Sequence, residues 1–451
     1  LLHSFGYNAS PHATTSVLNG TFIPDDDVDP YTRQFIQELK MPASIMTLPA
    51  ITGIVTTEDH CTSWKKMRVY TGSSPYGPLF CDYVAGTNDS VVAAVDASLS
   101  SIPHSTGFSP QQWQEAADVM IPKKKSSRHV QKLRIIVLFD AMFNMVNKRI
   151  AREMIQRAQS MNLLPNEAYG GVPGRRASTC SLNKILALDI IRLERRPAVV
   201  CSNDAQSCYD RIIHTVASIC MQRLGVAQEA CFTIFGTLQE LKHHVRTAFG
   251  EQANGYGALG IPLHGVGQGN GAGPAIWLAI TLPLISMLKN AGFGLQVITP
   301  ISKEQDTIAC FVYVDDVDSI HCPLRTNMAT DIVADMQRML DTWSGGLRAT
   351  GGRIEPTKSY WYLIDFKWNR RKLKWEYKTI ADQPATIYLR HTGDEPIPLE
   401  RKEVWEADPD GTLGTFVAMD GNQALVVASL TKTIDTWADK IRSRQLTIAE
   451  G

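Results

Sequence analysis

Through residues 141–160, AMFNMVNKRIAREMIQRAQS, apolar positions recur at helical spacing. Met142, Met145, Ile150 and Ile155 share one face, and basic side chains take another. SLNKILALDIIRL (181–193) predicts a second helix, and PAVVCSND (197–204) a strand that ends at an acid. After DAQSCYD the spacing predicts a helix over roughly 210–224. LPLISMLKNAG (282–292) reads as a helix stopped by Gly292, and TDIVADMQRMLDTWSGG (330–346) as an amphipathic helix that also ends at glycine. From Ile308 to Val314 the chain is apolar apart from the hydroxyl of Tyr313, the pattern of a buried strand reaching a turn. SYWYLIDF (359–366) and KLKWEYKTI (372–380) predict a hairpin. Helices mixed with antiparallel strands point to an α+β fold and not to alternating βαβ units. Residues 1–115 are rich in Pro, Gly, Ser and Thr, with short helical patterns such as PYTRQFIQELK (30–40), and read as an irregular N-terminal extension with packed pieces.

The chain of 451 residues is 44% hydrophobic and 20% charged, which fits a soluble globular protein of about two to four structural units. Lys+Arg and Asp+Glu balance at 45 each, so any nucleic-acid surface must be local. KKKSSRHVQKLR (123–134) contains no acid. FKWNRRKLKWEYK (366–378) interleaves Phe366, Trp368, Trp375 and Tyr377 with basic residues, a composition suited to backbone contact and base stacking. Arg370, Arg371 and Lys372 are the candidate contacts there; a solvated hairpin with one apolar face is the other reading. The 9 cysteines are scattered singly with no CxxC pair, which fits a reducing compartment, cytoplasmic or nuclear. His60-Cys61 lacks suitably spaced partners for a metal site. The opening LLHSFGYN lacks the regions of a signal peptide, and AIWLAITLPLISML (275–288) is too short to span a bilayer and contains Pro283. A buried helix is expected there, and no membrane. A first residue of Leu suggests a piece of a longer product, with other polyprotein domains as expected partners.

Asp315 and Asp316 stand side by side after the apolar run. Adjacent carboxylates repel, and a bound divalent cation offsets that repulsion, with Mg²⁺ suited to hard oxygen ligands. A solvated turn accounts for the pair as well. Asp204 ends another strand, and two strand ends can bring carboxylates together from distant sequence. Three acids at neighbouring tips would hold two divalent ions, which activate an attacking hydroxyl and neutralise a pyrophosphate leaving group. In GVGQGNGAG (265–273), Gly267, Gly269 and Ala272 match a dinucleotide-binding spacing, but no Asp or Glu follows before Glu304 to hold a ribose. The absence of any Gly-Lys pair excludes a Walker A loop. What remains is a turn that lets backbone amides approach a ligand, with Gln268 as a hydrogen-bonding side chain.

The ordered set resembles the reverse transcriptase family. IPKK (121–124) with LRIIVL (133–138) resembles its fingers motifs, and AYGGVPGRRAST (168–179) its next glycine- and arginine-rich segment. SNDAQSCYDRI (202–212) is similar to motif A, GVGQGNGAGP (265–274) to motif B and YVDD (313–316) to motif C. TKS (357–359) resembles motif D, and TLG (412–414) motif E. A lone Asp-Asp pair is a weak signal; seven motifs in order are a strong one. The wording around them looks most like retrotransposon-type, non-LTR-like enzymes.

The resemblance implies a right-hand polymerase fold: an extension over 1–115, fingers and palm over 116–425, and the start of a thumb over 426–451. It implies RNA-directed DNA polymerase activity on an RNA template, a DNA primer and dNTPs, with two Mg²⁺ ions or Mn²⁺ in their place. Asp204, Asp315 and Asp316 match the carboxylate triad, and Lys358 the motif D lysine, a proton donor to pyrophosphate. Lys123 and Arg134 match cations that grip the triphosphate, Gln268 and Gly269 the pair that braces nucleotide and template, and Tyr209 the steric gate under the sugar. A surface lysine and a core tyrosine are the plain alternatives for Lys358 and Tyr209. Two other functions compete: an RNA-dependent RNA polymerase, and a catalytically inactive palm kept as a nucleic-acid-binding module.

Overall fold

The computed structural model describes residues 11–123, 129, 133–257, 264–325, 329–390, 395–407 and 416–443. Among them helices and strands mix, and the strand pairs are antiparallel with two exceptions, Glu115–Pro122 with Lys242–Thr247 and Tyr360–Ile364 with Glu400–Arg401. That is the α+β character expected from the pattern. The chain divides into two compact units.

The first unit comprises residues 1–173, 205–287 and 345–353. Its four-stranded sheet runs β2 (Leu133–Leu138), β1 (Glu115–Pro122), β4 (Lys242–Thr247), β5 (Gly250–Glu251). Helix Ala141–Ser160 follows β2, its first turn capped by Asp140, whose Oδ1 accepts from the amides of Met142 and Phe143 at 2.8 and 3.0 Å. The predicted stripe of Met142, Met145, Ile150 and Ile155 is buried. Residues 11–106 carry six helices, more order than their composition suggested. Hydrophobic surface explains it: Phe35, Leu39, Trp64 and Phe80 are all buried.

The expected helix over 210–224 is two pieces, Cys208–Arg211 and His214–Arg223. Ile212 and Ile213 are extended between them because their backbone is committed elsewhere. The Ile212 carbonyl accepts from Gly265 N, and Ile213 N donates to the Thr350 carbonyl. The helix expected to stop at Gly345-Gly346 continues to Ala349. These glycines serve close approach: a Cβ on Gly345 would overlap the Tyr31 ring, and one on Gly346 would meet Leu284 and Met287. Helix Gly273–Asn290 is apolar all round and buried, as expected, and Gly292 follows it at φ 77°.

The second unit comprises residues 174–204, 288–344 and 354–451. Its five-stranded sheet runs β15 (Glu400–Arg401), β10 (Tyr360–Ile364), β3 (Ala198–Asp204), β9 (Asp316–His321), β8 (Cys310–Tyr313). Helix Ala177–Glu194 immediately precedes β3. The single strand expected from Ile308 is divided at Ala309: β7 (Gln305–Ile308) pairs with β6 (Leu295–Ile298), and β8 pairs with β9. The expected hairpin is shifted. Tyr360–Ile364 joins the central sheet beside β3, while β11 (Phe366–Asn369) and β12 (Lys374–Tyr377) form the hairpin. A short pair, β13 (Tyr388–Leu389) with β14 (Ile397–Pro398), completes the strands. No helix among the described residues is long and apolar enough to cross a membrane.

Candidate active site

In the second unit, β3 ends at Asp204, and Asp204 is the direct antiparallel partner of Asp316 at the start of β9. Tyr313 pairs with Asp316, so only Val314 and Asp315 connect β8 to β9. Val314 has φ 59°, the left-handed region that a β-branched residue rarely enters. A two-residue hairpin loop takes a positive φ at its first central position, and holding valine there costs about 1–3 kcal/mol. The return sets Asp315 in the loop and Asp316 as the first residue of β9. Strand alternation puts Asp318, opposite Ser202, on the same face as Asp316 and Asp204.

These carboxylates crowd one another. Burial, and then the charges of Asp315, Asp318 and Asp204, push the Asp316 carboxyl up to about 6, with Lys184 opposing the rise. Two ammonium groups stand against the cluster. Lys358, on the short turn Pro356–Lys358, places Nζ 2.7 Å from Asp204 Oδ2. Glu355 N donates to the Asp204 carbonyl at 2.8 Å and fixes where that turn begins. The bond to Asp204 raises the Lys358 pKa and keeps it charged. Lys184, from helix Ala177–Glu194, places Nζ 2.7 Å from Asp318 Oδ2, with both side chains under a tenth exposed.

A donor set made of carboxylate oxygens suits a hard divalent cation such as Mg²⁺. Among the described residues, no three His, Cys, Asp or Glu side chains stand in a cation-holding arrangement. Asp204 is paired here with Lys358. Lys358 is 66% exposed on a flexible four-carbon stem, so exchanging it for a bound cation costs little. Carboxylate oxygens therefore suit such an ion in kind.

In the first unit, the glycine-rich segment is sewn to the residues after Ser207. Val266 N donates to the Tyr209 carbonyl at 2.9 Å, and His214 Nε2 to the Gly265 carbonyl at 2.5 Å. Burial lowers His214 to about 4, so its ring stays neutral. Gly265 has φ 86°, and a Cβ there would lie 2.7 Å from the Tyr209 oxygen. The Tyr209 ring lies beside Gly273, where an added Cβ would be 3.6 Å from Cε1. Gly269 is pressed against β2: a Cβ there would come within 2.2 Å of the Val137 oxygen, and Val137 N donates to the Gln268 carbonyl at 2.7 Å. Asn144 clamps the segment from helix Ala141–Ser160, donating to the Gly269 carbonyl and accepting from Gly271 N. The fold thus brings Tyr209, Gln268, Gly269 and β2 together. Arg134 is exposed on β2 opposite Ile121, and Lys123 is exposed just past the end of β1.

Sequence reasoning missed Asn144, Lys184 and Asp318. A signal existed for two of them. Lys184 falls within the stripe Cys180, Ala187, Leu188 and Ile191 of its helix, where a lysine requires a buried acid. Asp318 lies two residues past Asp316 and therefore shares its face.

In the second unit's hairpin, Arg370, Arg371 and Lys372 are exposed at the turn, and Lys372 pairs with Glu376 at 2.9 Å. Trp368 and Trp375 meet edge to face at 5.6 Å, with Arg195 over the Trp375 ring. The other predicted basic stretch, 123–134, lies largely outside the described residues, as does TLG (412–414). A groove the sequence did not reveal opens in the first unit, about 410 Å³ in volume and lined by Lys66, Lys148, Arg149 and Arg152 together with Asp59, which pairs with Arg149, and Glu153. No protein-family model matches the chain, and no curated protein matches it.

Proposed function

We propose that the chain is an RNA-directed DNA polymerase of retrotransposon type, with a right-hand polymerase fold whose palm is the five-stranded sheet. The observation that carries the reading is Asp204 opposite Asp316 with Asp315 in the adjoining turn. The ordered motifs around these residues support it. Asp204, Asp315 and Asp316 would hold two Mg²⁺ ions. When bound, such ions make the primer hydroxyl a better nucleophile and neutralise charge on the departing pyrophosphate. Lys358 holds a proton at Nζ beside Asp204 and is the donor for the leaving group. Arg134 and Lys123 supply charge-assisted bonds to the triphosphate. Gln268 and Gly269 brace nucleotide and template, and the Tyr209 ring excludes a 2′-hydroxyl.

A second reading, a palm retained for binding nucleic acid without catalysis, draws on the pairing of Lys358 with Asp204. Primer extension on an RNA template with dNTPs and Mg²⁺ separates the two. Extension by the wild-type chain that falls more than about a thousandfold in Asp315→Asn supports the polymerase. Binding of template–primer without any extension supports the module, and equal extension by both chains removes the acids from the mechanism.

A further inference from the structure

The two acids assigned to motif C are not the last on their face of the sheet. Asp318 is 6% exposed and bonds Lys184 through Oδ2, while its Oδ1 is buried without a hydrogen-bond partner among the described residues. A buried carboxylate oxygen is rarely left so, because it gives up hydration and gains nothing. Strong neutral donors are scarce around it: on its helix Lys184 stands among Cys180, Leu188 and Ile191, and in β9 Val317 precedes Asp318 while Ser319, which follows, alternates to the other face and accepts from Asn203. Asp318 shares its face with Ser202, Asp204 and Asp316, and among carboxylates whose charges already oppose one another a cation is the partner for Oδ1 that the electrostatics favour.

We propose that Asp318 is a fourth carboxylate of the cation-binding cluster, and that Lys184 is its resident counter-charge, setting how much cation charge the cluster accepts. The inference rests on the polymerase reading for the identity of the other three acids. Lys358 and Lys184 differ in kind. The first is exposed and exchangeable, whereas the second is 8% exposed and fixed by its helix. Lys184 therefore keeps one positive charge in the cluster whatever else is bound, which lowers affinity for cations and limits their number.

The test is calorimetric titration of the folded chain with Mn²⁺, without nucleic acid, alongside primer extension. Asp318→Asn should weaken Mn²⁺ binding at least about tenfold, and Lys184→Met should tighten it by at least about as much. The double variant Lys184→Met/Asp318→Asn should return to within a few-fold of wild type. Opposite signs are the signature, since a pair that only supports the fold would shift both single variants the same way or neither. Should a single variant fail to fold, Lys184→Gln and Asp318→Ser face the same titration and the same requirement. If wild type binds Mn²⁺ and extends primers while the variants bind alike, the inference falls alone. If wild type neither binds nor extends, the polymerase reading falls; the inference then survives only if Lys184→Met acquires a Mn²⁺ site, and falls too if it does not.

Discussion

Asp204 and Asp316 face each other as direct partners across the β3–β9 ladder, and burial together with the charges of Asp315, Asp318 and Asp204 disfavours ionisation of Asp316. For Asp316 the folded-state value, about 6, lies above the ordinary 3.8. Ionisation therefore opposes folding. The contribution of the neutral carboxyl is fully present below about pH 4 and is lost as pH rises through 6. Asp316→Asn should then be more stable than wild type at pH 8, by about 1–2 kcal/mol once partial exposure is allowed for, and show no such advantage at pH 4. Urea unfolding in EDTA at the two pH values measures this. An advantage of the same size at both would mean that packing, not charge, is responsible.

Val314 holds a strained turn beside those acids. Val314→Gly should raise stability by about 1 kcal/mol, the relief of strain exceeding the extra chain entropy of glycine. Val314→Ala should recover less than half of that, because any Cβ is disfavoured at this φ. Equal effects in the two variants would place the gain outside the backbone.

Tyr209 lies beside the glycine-rich segment with its ring against Gly273. As a gate, Tyr209→Val should admit ribonucleotides and keep much of the deoxyribonucleotide activity. A wild-type discrimination of 10²–10³, or roughly 3–4 kcal/mol, should largely disappear. Single-nucleotide incorporation with dNTP and rNTP on one RNA template decides it. A variant that loses stability and both activities together identifies a packing tyrosine.

Arg370, Arg371 and Lys372 crown the β11–β12 hairpin. Replacing all three with alanine should lower the slope of log affinity against log salt for a template–primer by about 2. Lys372 contributes less because Glu376 already holds it. An unchanged slope in a binding titration would make the turn an ordinary solvated one.

What the sequence revealed was local. The strand ending at Asp204, the helix Ala141–Ser160 and the turn at Asp315 each follow from a short run of apolar and polar residues read at one period. The rest depended on partners far along the chain. Gly345 and Gly346 read as a helix stop until Tyr31 and Leu284 explain why small residues sit mid-helix. Tyr360–Ile364 read as half of a hairpin because its true partner is β3. Lys184 and Asp318 each left a local trace, a lysine in an apolar helix stripe and an acid two residues past Asp316, but their pairing across 134 residues shows only in the fold.

The placement of β3 also carries a consequence for how the chain is made. Both neighbours of this strand, β9 and β10, lie more than a hundred residues downstream of it. During synthesis at about 5–20 residues per second, β3 leaves the ribosome many seconds before either edge can be covered. Its run Val199, Val200, Cys201 is apolar and fully buried once folded, so for that interval the nascent chain carries a sticky, unpaired strand. Expression at lowered temperature, or with holdase chaperones in excess, should therefore raise the soluble yield of this protein more than changes at its finished surface.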